Sequence, residues 1–391
     1  MTEEQLAFSR KARLWITVLL LVTIGLMTWY HRWAKFDRFF PPDQPPTEPI
    51  AVFEEIGRDK GKGNLLGLQP WMNPIDYGSP FHLRHKLSDY LNEAQEKGWL
   101  IPQNTVLVLP EYFGTWLVAE RQRREIYEAS SIQDAMTTIV LSNLSILTNS
   151  YWNAPDGTSD KLRYAVFANA GEQMARSYTQ VFSGLAQLYQ ITIVAGSILL
   201  PNPRVENGQV VAGEGPLYNV TAVFRPDGKA DPQLVRKLYP INDELPFVSS
   251  ANPNDLPVFD TPVGTLGVLV CADAWHRPAY AALRKKGATL LAVPSYSAGD
   301  GCWAKPWGGY SGTPTPATAK ADVGKLTEGQ AWLKYAMGGR AKPEAGITKG
   351  MNVFLRGNLW DLGSDGTTVV LNDSLHVTKP VKGASLTCLW L

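Results

Sequence analysis

Three side chains in this 391-residue chain have types suited to acyl transfer: Glu111, Lys237 and Cys271. Glu111 follows the apolar run 105–110 (TVLVLP), Lys237 lies in the strand-like run LVRKLYP, and Cys271 follows the apolar run 265–270 (TLGVLV). In layered α/β folds, sites gather where strands end and the chain leaves the sheet. A carboxylate there can take a thiol proton, a thiolate can attack a carbonyl or nitrile carbon, and an ammonium can stabilise the developing negative charge. Taken singly, each has a plainer reading. A lone cysteine packs as a small hydrophobe, Glu111 reads as a solvated strand-end acid, and Lys237, beside Arg236, reads as a surface lysine. Cys302 and Cys388 read as structural.

Taken together, the three carry a resemblance. Leu109-Pro110-Glu111, Arg236-Lys237-Leu238-Tyr239-Pro240 and residues 267–273 (GVLVCAD) resemble the three catalytic motifs of the nitrilase superfamily of carbon–nitrogen hydrolases, in the family's order Glu, Lys, Cys. The separations suit it: 126 positions from Glu111 to Lys237 and 34 from Lys237 to Cys271. Residues 237–244 (KLYPINDE) resemble the stretch that holds a second glutamate beside the lysine. Residues 287–295 resemble the strand after the nucleophile's helix, and residues 358–366 the C-terminal hairpin. The resemblance runs from about residue 64 to about residue 373.

It implies an α/β fold, a nitrilase-like α-β-β-α layered sandwich, here preceded by one transmembrane helix. It also implies that Cys271 is the nucleophile, Glu111 the acid and base, and Lys237 the oxyanion holder, with the Ala272 N–H as a second donor. Glu244, or its neighbour Asp243, would orient the lysine. The product would be an acyl-thioester on Cys271, formed without metal or organic cofactor, in a chain that forms at least a homodimer. Ala272-Asp273 follows the cysteine where nitrilases usually have Trp-Glu and bacterial apolipoprotein N-acyltransferases Tyr-Glu. The expected activity is therefore hydrolysis of a non-peptide amide, or of a nitrile, with the substrate a small molecule or linked to a lipid. An N-acyltransferase that moves an acyl group from lipid to an amine is the alternative, and a non-catalytic scaffold is the third reading. The loop 299–309, rich in Gly and Trp, is either an ordinary surface loop or a cover that brings Trp303 or Trp307 to the substrate. A catalytic Cys271 beside a lysine is expected to hold a thiolate and to alkylate faster than Cys302 or Cys388.

Elements that could position these groups follow from periodicity. Helices are expected at 82–97, 162–189, 277–286 and 325–337. Residues 64–71 are a short apolar run, and strands are expected at 105–110, 191–200, 218–224, 234–239, 265–270, 289–294, 353–360 and 367–371, with turns at Pro226-Asp227-Gly228 and at 363–366. Strands interleaved with helices and joined by short turns predict a layered α/β domain. Arg121 to Arg124 and Arg284 to Lys286 read as solvated helix faces.

Residues 14–30 (LWITVLLLVTIGLMTWY) carry no charge, and Trp29, Tyr30 and Trp33 stand at one end. About 17–20 apolar residues cross a bilayer core, and aromatic rings favour its boundary. The reading is an uncleaved anchor: tail 1–13, transmembrane helix 14–33, Pro-rich linker 34–50 as a semi-rigid spacer, and one catalytic domain over 51–391. A cleaved signal peptide is the rival, without a small-x-small site after the run. Arg10, Lys11 and Arg13 precede the span and Arg32, Lys35 and Arg38 follow it, a tie in the positive-inside count. The expected placement is a bacterial inner membrane, single-pass, with the domain on the periplasmic side. The net charge is +1, with 37 Lys and Arg against 36 Asp and Glu, and gives no basic excess for nucleic acid. Five histidines without zinc-site spacing suggest no metal.

Overall fold

The computed structural model describes residues 3–36, 38 and 42–391, with side chains from residue 11 onward. Residues 1–2 of the tail, and residues 37 and 39–41 of the expected linker, lie outside the described residues. Helix α1 (Glu3–Lys35) carries the apolar run. The domain then builds β1 (Ile50–Ile56), β2 (Asn64–Gln69), α2 (Pro80–Glu96), β3 (Thr105–Val108), α3 (Ile132–Ser142), α4 (Leu144–Trp152), α5 (Lys161–Tyr189), β4 (Thr192–Pro201), β5 (Leu217–Phe224) and β6 (Val235–Arg236). It continues through β7 (Val258–Thr261), β8 (Gly264–Val268), α6 (Arg277–Lys285), β9 (Leu290–Ser295), α7 (Glu328–Tyr335), β10 (Lys349–Phe354), β11 (Val369–Asn372), β12 (Ser374–Val377) and β13 (Ala384–Trp390).

The strands form two mixed main sheets. One has the order β1-β13-β2-β3-β4-β5-β6 and the other β7-β8-β9-β10-β11-β12. Side chains alternate across a strand, and the apolar run of β3 uses both faces. Leu107 and Leu109 join the core made with α2 and α5 (Leu83, Leu87, Tyr178, Phe182), while Val106 and Val108 join the core shared with the second sheet. The far face of the second sheet meets α6 and α7 through Tyr280, Leu283 and Trp332. The result is the layered helix–sheet–sheet–helix arrangement. A Cβ on Gly67 of β2 would stand 2.2 Å from the Met351 sulfur of β10, so the sheets meet where only glycine fits.

The helices start where the sequence signals them. Ser79 caps α2, accepting from the His82 N–H at 3.1 Å, with Pro80 in the first turn. Asp160 caps α5, accepting from the Arg163 N–H at 2.9 Å. The strand expected at 353–360 lies earlier, at Lys349–Phe354, and Arg356 and Gly357 leave the sheet to pair with Trp71 and Met72. β1, β7, β12, β13, α3 and α4 had no sequence reading. β13 inserts between β1 and β2, a pairing between the two ends of the domain that no local pattern encodes.

The Pro-rich segment does not hang free as a spacer. Gln44, Thr47 and Glu48 tie it to α2. Thr47 donates to Asp89 at 2.5 Å, Gln44 to the His82 carbonyl at 3.0 Å, and Glu48 pairs with Lys86 at 2.8 Å. The end of α1 is also held. Tyr30 donates to the Leu141 carbonyl at 2.8 Å, and Arg38 to the Ser142 carbonyl at 2.8 Å. Arg123, expected on a solvated face, is 2% exposed. It donates to the Trp33 carbonyl and, at 3.0 Å, to the Phe36 carbonyl, and lies 4.6 Å from the Trp33 ring. A buried cation at the carbonyl end of a helix satisfies groups that the helix leaves orphaned.

Candidate active site

The loop after β3 carries Glu111. Its N–H donates to the Ser295 carbonyl of β9 at 3.3 Å, bridging the two sheets. Tyr112 donates its N–H to Ser197 Oγ at 2.8 Å, beside a bulge in β4. Bulges of this kind re-aim side chains next to sites. Gly196, at φ +68°, makes room for the loop, since a Cβ there would lie 2.3 Å from the Pro110 carbonyl oxygen. Lys237 follows β6, and its N–H donates to the Asn219 carbonyl of β5 at 2.8 Å. Cys271 opens a short 3-10 turn (Cys271–Trp275) with φ at +51°, a left-handed conformation that is costly for a residue with a side chain.

These elements bring Glu111, Lys237, Glu244 and Cys271 together, all buried. Lys237 Nζ sits 2.8 Å from Glu111 Oε1 and 2.6 Å from Glu244 Oε2. Asn219 Nδ2 donates to both carboxylates, at 3.0 and 2.8 Å. Glu244 further accepts from the Tyr112 hydroxyl at 2.5 Å and from the Ile241 N–H at 2.8 Å. Cys271 Sγ lies 3.7 Å from the Tyr296 carbonyl. Of the two adjacent acids, Glu244 takes the place beside the lysine, while the Asp243 carbonyl accepts from Arg163 on the surface.

Asp273 bridges the lysine segment to the cysteine turn. Its Oδ1 accepts from the N–H groups of Leu238 and Tyr239 at 2.9 and 2.8 Å, and its Oδ2 from Val270 at 3.3 Å. Burial raises this carboxyl to about 7.

The two glutamates are driven apart. Burial pushes Glu111 up, and the Lys237 ammonium only partly offsets it. Burial acts on Glu244 in the same sense, but Lys237 and the larger set of donors around it hold it below the usual carboxylate range. Burial opposes the Lys237 charge as well, yet Glu111 and Glu244 outweigh it and hold the ammonium well above its ordinary value. Burial and the Glu111 charge push the Cys271 thiol well up, more than Lys237 pulls it down. Both influences disfavour the standing thiolate that the sequence led one to expect.

Trp303 and Trp307 do not join this group. Trp307 is 1% exposed and stacks on Trp275 and Tyr335, with ring centroids 5.7 and 5.2 Å apart. Trp303 packs edge-on to Phe354 at 5.1 Å and parallel to Trp332 at 6.5 Å. Trp307 fills the second core, where large apolar rings gain most from burial, and backs the cysteine turn through Trp275, while the half-buried Trp303 packs against that core. The aromatic rings beside the site are Tyr112 and Tyr296, in edge contact at 6.1 Å. Neither these nor Asn219 and Asp273 had a role in the sequence reading. Tyr112 stands directly after Glu111, and Asn219 is the amide in the otherwise apolar and hydroxylic run of β5, so a search for polar residues within buried strands would have found it. Cys302 contacts Ser297 Oγ at 3.1 Å and Cys388 accepts from Asn64 at 3.2 Å, both without disulfides. Among the described residues no group of three or more His, Cys, Asp and Glu is arranged to hold a metal ion.

Two sheets layered between helices, with a glutamate, a lysine and a cysteine meeting at their ends, define the nitrilase-like class. The carbon–nitrogen hydrolase family matches over residues 77–312, and the chain belongs to that family. Over 117 residues it is 32% identical to Nitrilase 2 of Arabidopsis thaliana, covering 26% of this chain and 34% of that protein. Over 122 residues it is 26% identical to the probable hydrolase YhcX of Bacillus subtilis (strain 168), covering 31% of this chain and 21% of that protein. The matched stretches thus span about a third and a fifth of these relatives. Among solved structures, the amidase from Nesterenkonia sp. AN1 in complex with acrylamide aligns at 17% identity and a TM-score of 0.49, covering 85% of this chain and 93% of that one. The same amidase in complex with butyramide aligns at 18% identity and a TM-score of 0.48, covering 84% and 91%.

Proposed function

We propose that the chain is a membrane-anchored hydrolase of non-peptide amides acting through Cys271. The observation that carries this reading is the Lys237 ammonium clamped between two buried carboxylates beside a cysteine in a left-handed turn. Both hydrogen bonds to Glu111 fall on Oε1, which leaves Oε2 for proton transfer. Glu111, with its raised affinity for protons, takes the thiol proton as sulfur attacks the amide carbon. Lys237 Nζ and the Ala272 N–H, at the open end of the turn, hold the oxyanion. Glu111 then gives the proton to the departing amine, leaving a thioester on Cys271. Water resolves the thioester, with Glu111 again as base, and the thiol is restored. Glu244 stays ionised and keeps Lys237 charged and aimed. Groups whose proton affinities are driven apart in one site divide acid–base work in this way. Ala272-Asp273 after the nucleophile, with Asp273 spent on bracing the lysine segment, favours amide over nitrile.

The test uses the full-length protein in detergent. Amine release is measured from linear amides of increasing length and from the matching nitriles. Amides should turn over, Cys271→Ala should abolish release, and Lys237→Met should lower kcat by about 10²–10³, the usual loss for one oxyanion donor. Release that survives Cys271→Ala would overturn the proposal. The exposed apolar helix favours a second reading, N-acyl transfer from a lipid donor. Acyl transfer from phospholipid to an amine, without hydrolysis of any amide, would replace the first reading with it.

A further inference from the structure

The stretch 135–155 contains no charged residue, with Asp134 and Asp156 on either side. It forms the α3–α4 hairpin, and its apolar residues are not all turned inward. Leu141 is 46% exposed, Leu144 47%, Ile146 49% and Trp152 72%. The corner between the helices is also where α1 meets the domain. Tyr30, the last residue of the uncharged run, donates to the Leu141 carbonyl, and Arg38 reaches the Ser142 carbonyl and Asn143 Oδ1 at 2.8 and 2.9 Å. Trp29, Tyr30 and Trp33 cluster at that same end of α1. Aromatic residues that close an apolar span lie at the level of the lipid headgroups. With α1 seated in a bilayer, the exposed leucines of the hairpin corner would lie at the depth where it leaves the hydrocarbon.

We propose that the α3–α4 hairpin is a second membrane contact, seated in the headgroup layer beside α1. Its occupant is the lipid surface, because the apolar face continues the apolar surface of α1 and shares its boundary residues. The hairpin is fastened to the rim of the site. The Ile132 N–H donates to Asp361 at 2.8 Å, and the neighbouring Trp360 donates to the Ile126 carbonyl at 2.8 Å. Trp360 meets Trp116 at 5.4 Å, and Trp116 meets Tyr112 at 6.5 Å. A hairpin held in the headgroup layer would fix the tilt of the domain and hold Tyr112 and the catalytic group near lipid-borne substrate. The inference rests on α1 as an anchor for its depth, though the hairpin can be tested separately.

A photoreactive benzoylphenylalanine is placed, one position at a time, at Val22, Leu144, Trp152 or Val377 of the full chain. The protein is reconstituted in vesicles of phosphatidylethanolamine and phosphatidylglycerol that contain radiolabelled phospholipid. Val22 reports the anchor, and Val377, exposed on β12, is the control. The expected result is lipid label at positions 22, 144 and 152, at least tenfold above position 377. Label at 22 but not at 144 and 152 would overturn the hairpin contact and leave the anchor standing. Label at 144 and 152 but not at 22 would keep the contact and remove the anchor. Adducts of two protein chains at 144 or 152, without lipid, would assign the face to a second copy and overturn the proposal.

Discussion

At the scale of single residues, the site is a balance of charges under burial. Cys271 is raised first by loss of water and then by the Glu111 charge, while Lys237 acts in the opposite sense. Glu111→Gln removes the negative term and leaves the positive one, so the thiol should lose its proton at lower pH. The midpoint of Cys271 alkylation against pH should fall by about 1–3 pH units, the usual effect of one close charge, while turnover is lost with the base. A midpoint that stays or rises would refute this account. Glu111, Lys237 and Cys271 were legible only together, as three motifs in an order that resembles the carbon–nitrogen hydrolases, since each alone has a plainer reading. The choice of Glu244 over Asp243 was not, because neighbours differ only in the direction that the turn gives them. Tyr112 and Asn219 are common residue types whose role comes from partners 132 and 25 positions away, both contacts falling on Glu244.

At the scale of elements, the site depends on how strand ends are shaped. The loop that carries Glu111 is braced by Ser197 and seated over Gly196, where the backbone is left-handed and no Cβ fits. Gly196→Ala should cost about 1–3 kcal/mol from the strained conformation alone. It should also lower kcat, because the Pro110 carbonyl must move and carries Glu111 with it. Thermal melting and kcat measured together test this, and a variant unchanged in both would refute it. Apolar periodicity was enough to read α2, α5, α6 and the central strands. It missed β13, whose partners β1 and β2 come from the far end of the domain.

At the scale of the whole molecule, α1 is the one helix among the described residues long and apolar enough to cross a membrane, and a signal sequence has the same character. The contacts of Trp33 with Arg123 and of Tyr30 with Leu141 favour retention, since cleavage beyond Trp33 would strand a buried guanidinium. The protein recovered from membranes should therefore have the mass of the intact 391-residue chain and resist alkaline extraction. Leu19→Arg together with Val22→Arg should release it, since each arginine at mid-span costs about 2.5–3.5 kcal/mol. A shortened, extractable protein would identify a signal sequence instead.

What the sequence determined by itself is what local pattern can encode: an uncharged helix of spanning length, strands from alternation and apolar runs, and three reactive residues at or beside strand ends. The tertiary structure decided what depends on distance through space. It set Lys237 between two carboxylates and drove their proton affinities apart. It raised the proton affinity of Cys271 and buried Arg123 under α1, while Trp307 went into the core and Trp303 packed against it. Burial and pairing are properties of neighbours brought together by the fold, and no spacing along the chain states which neighbours those are.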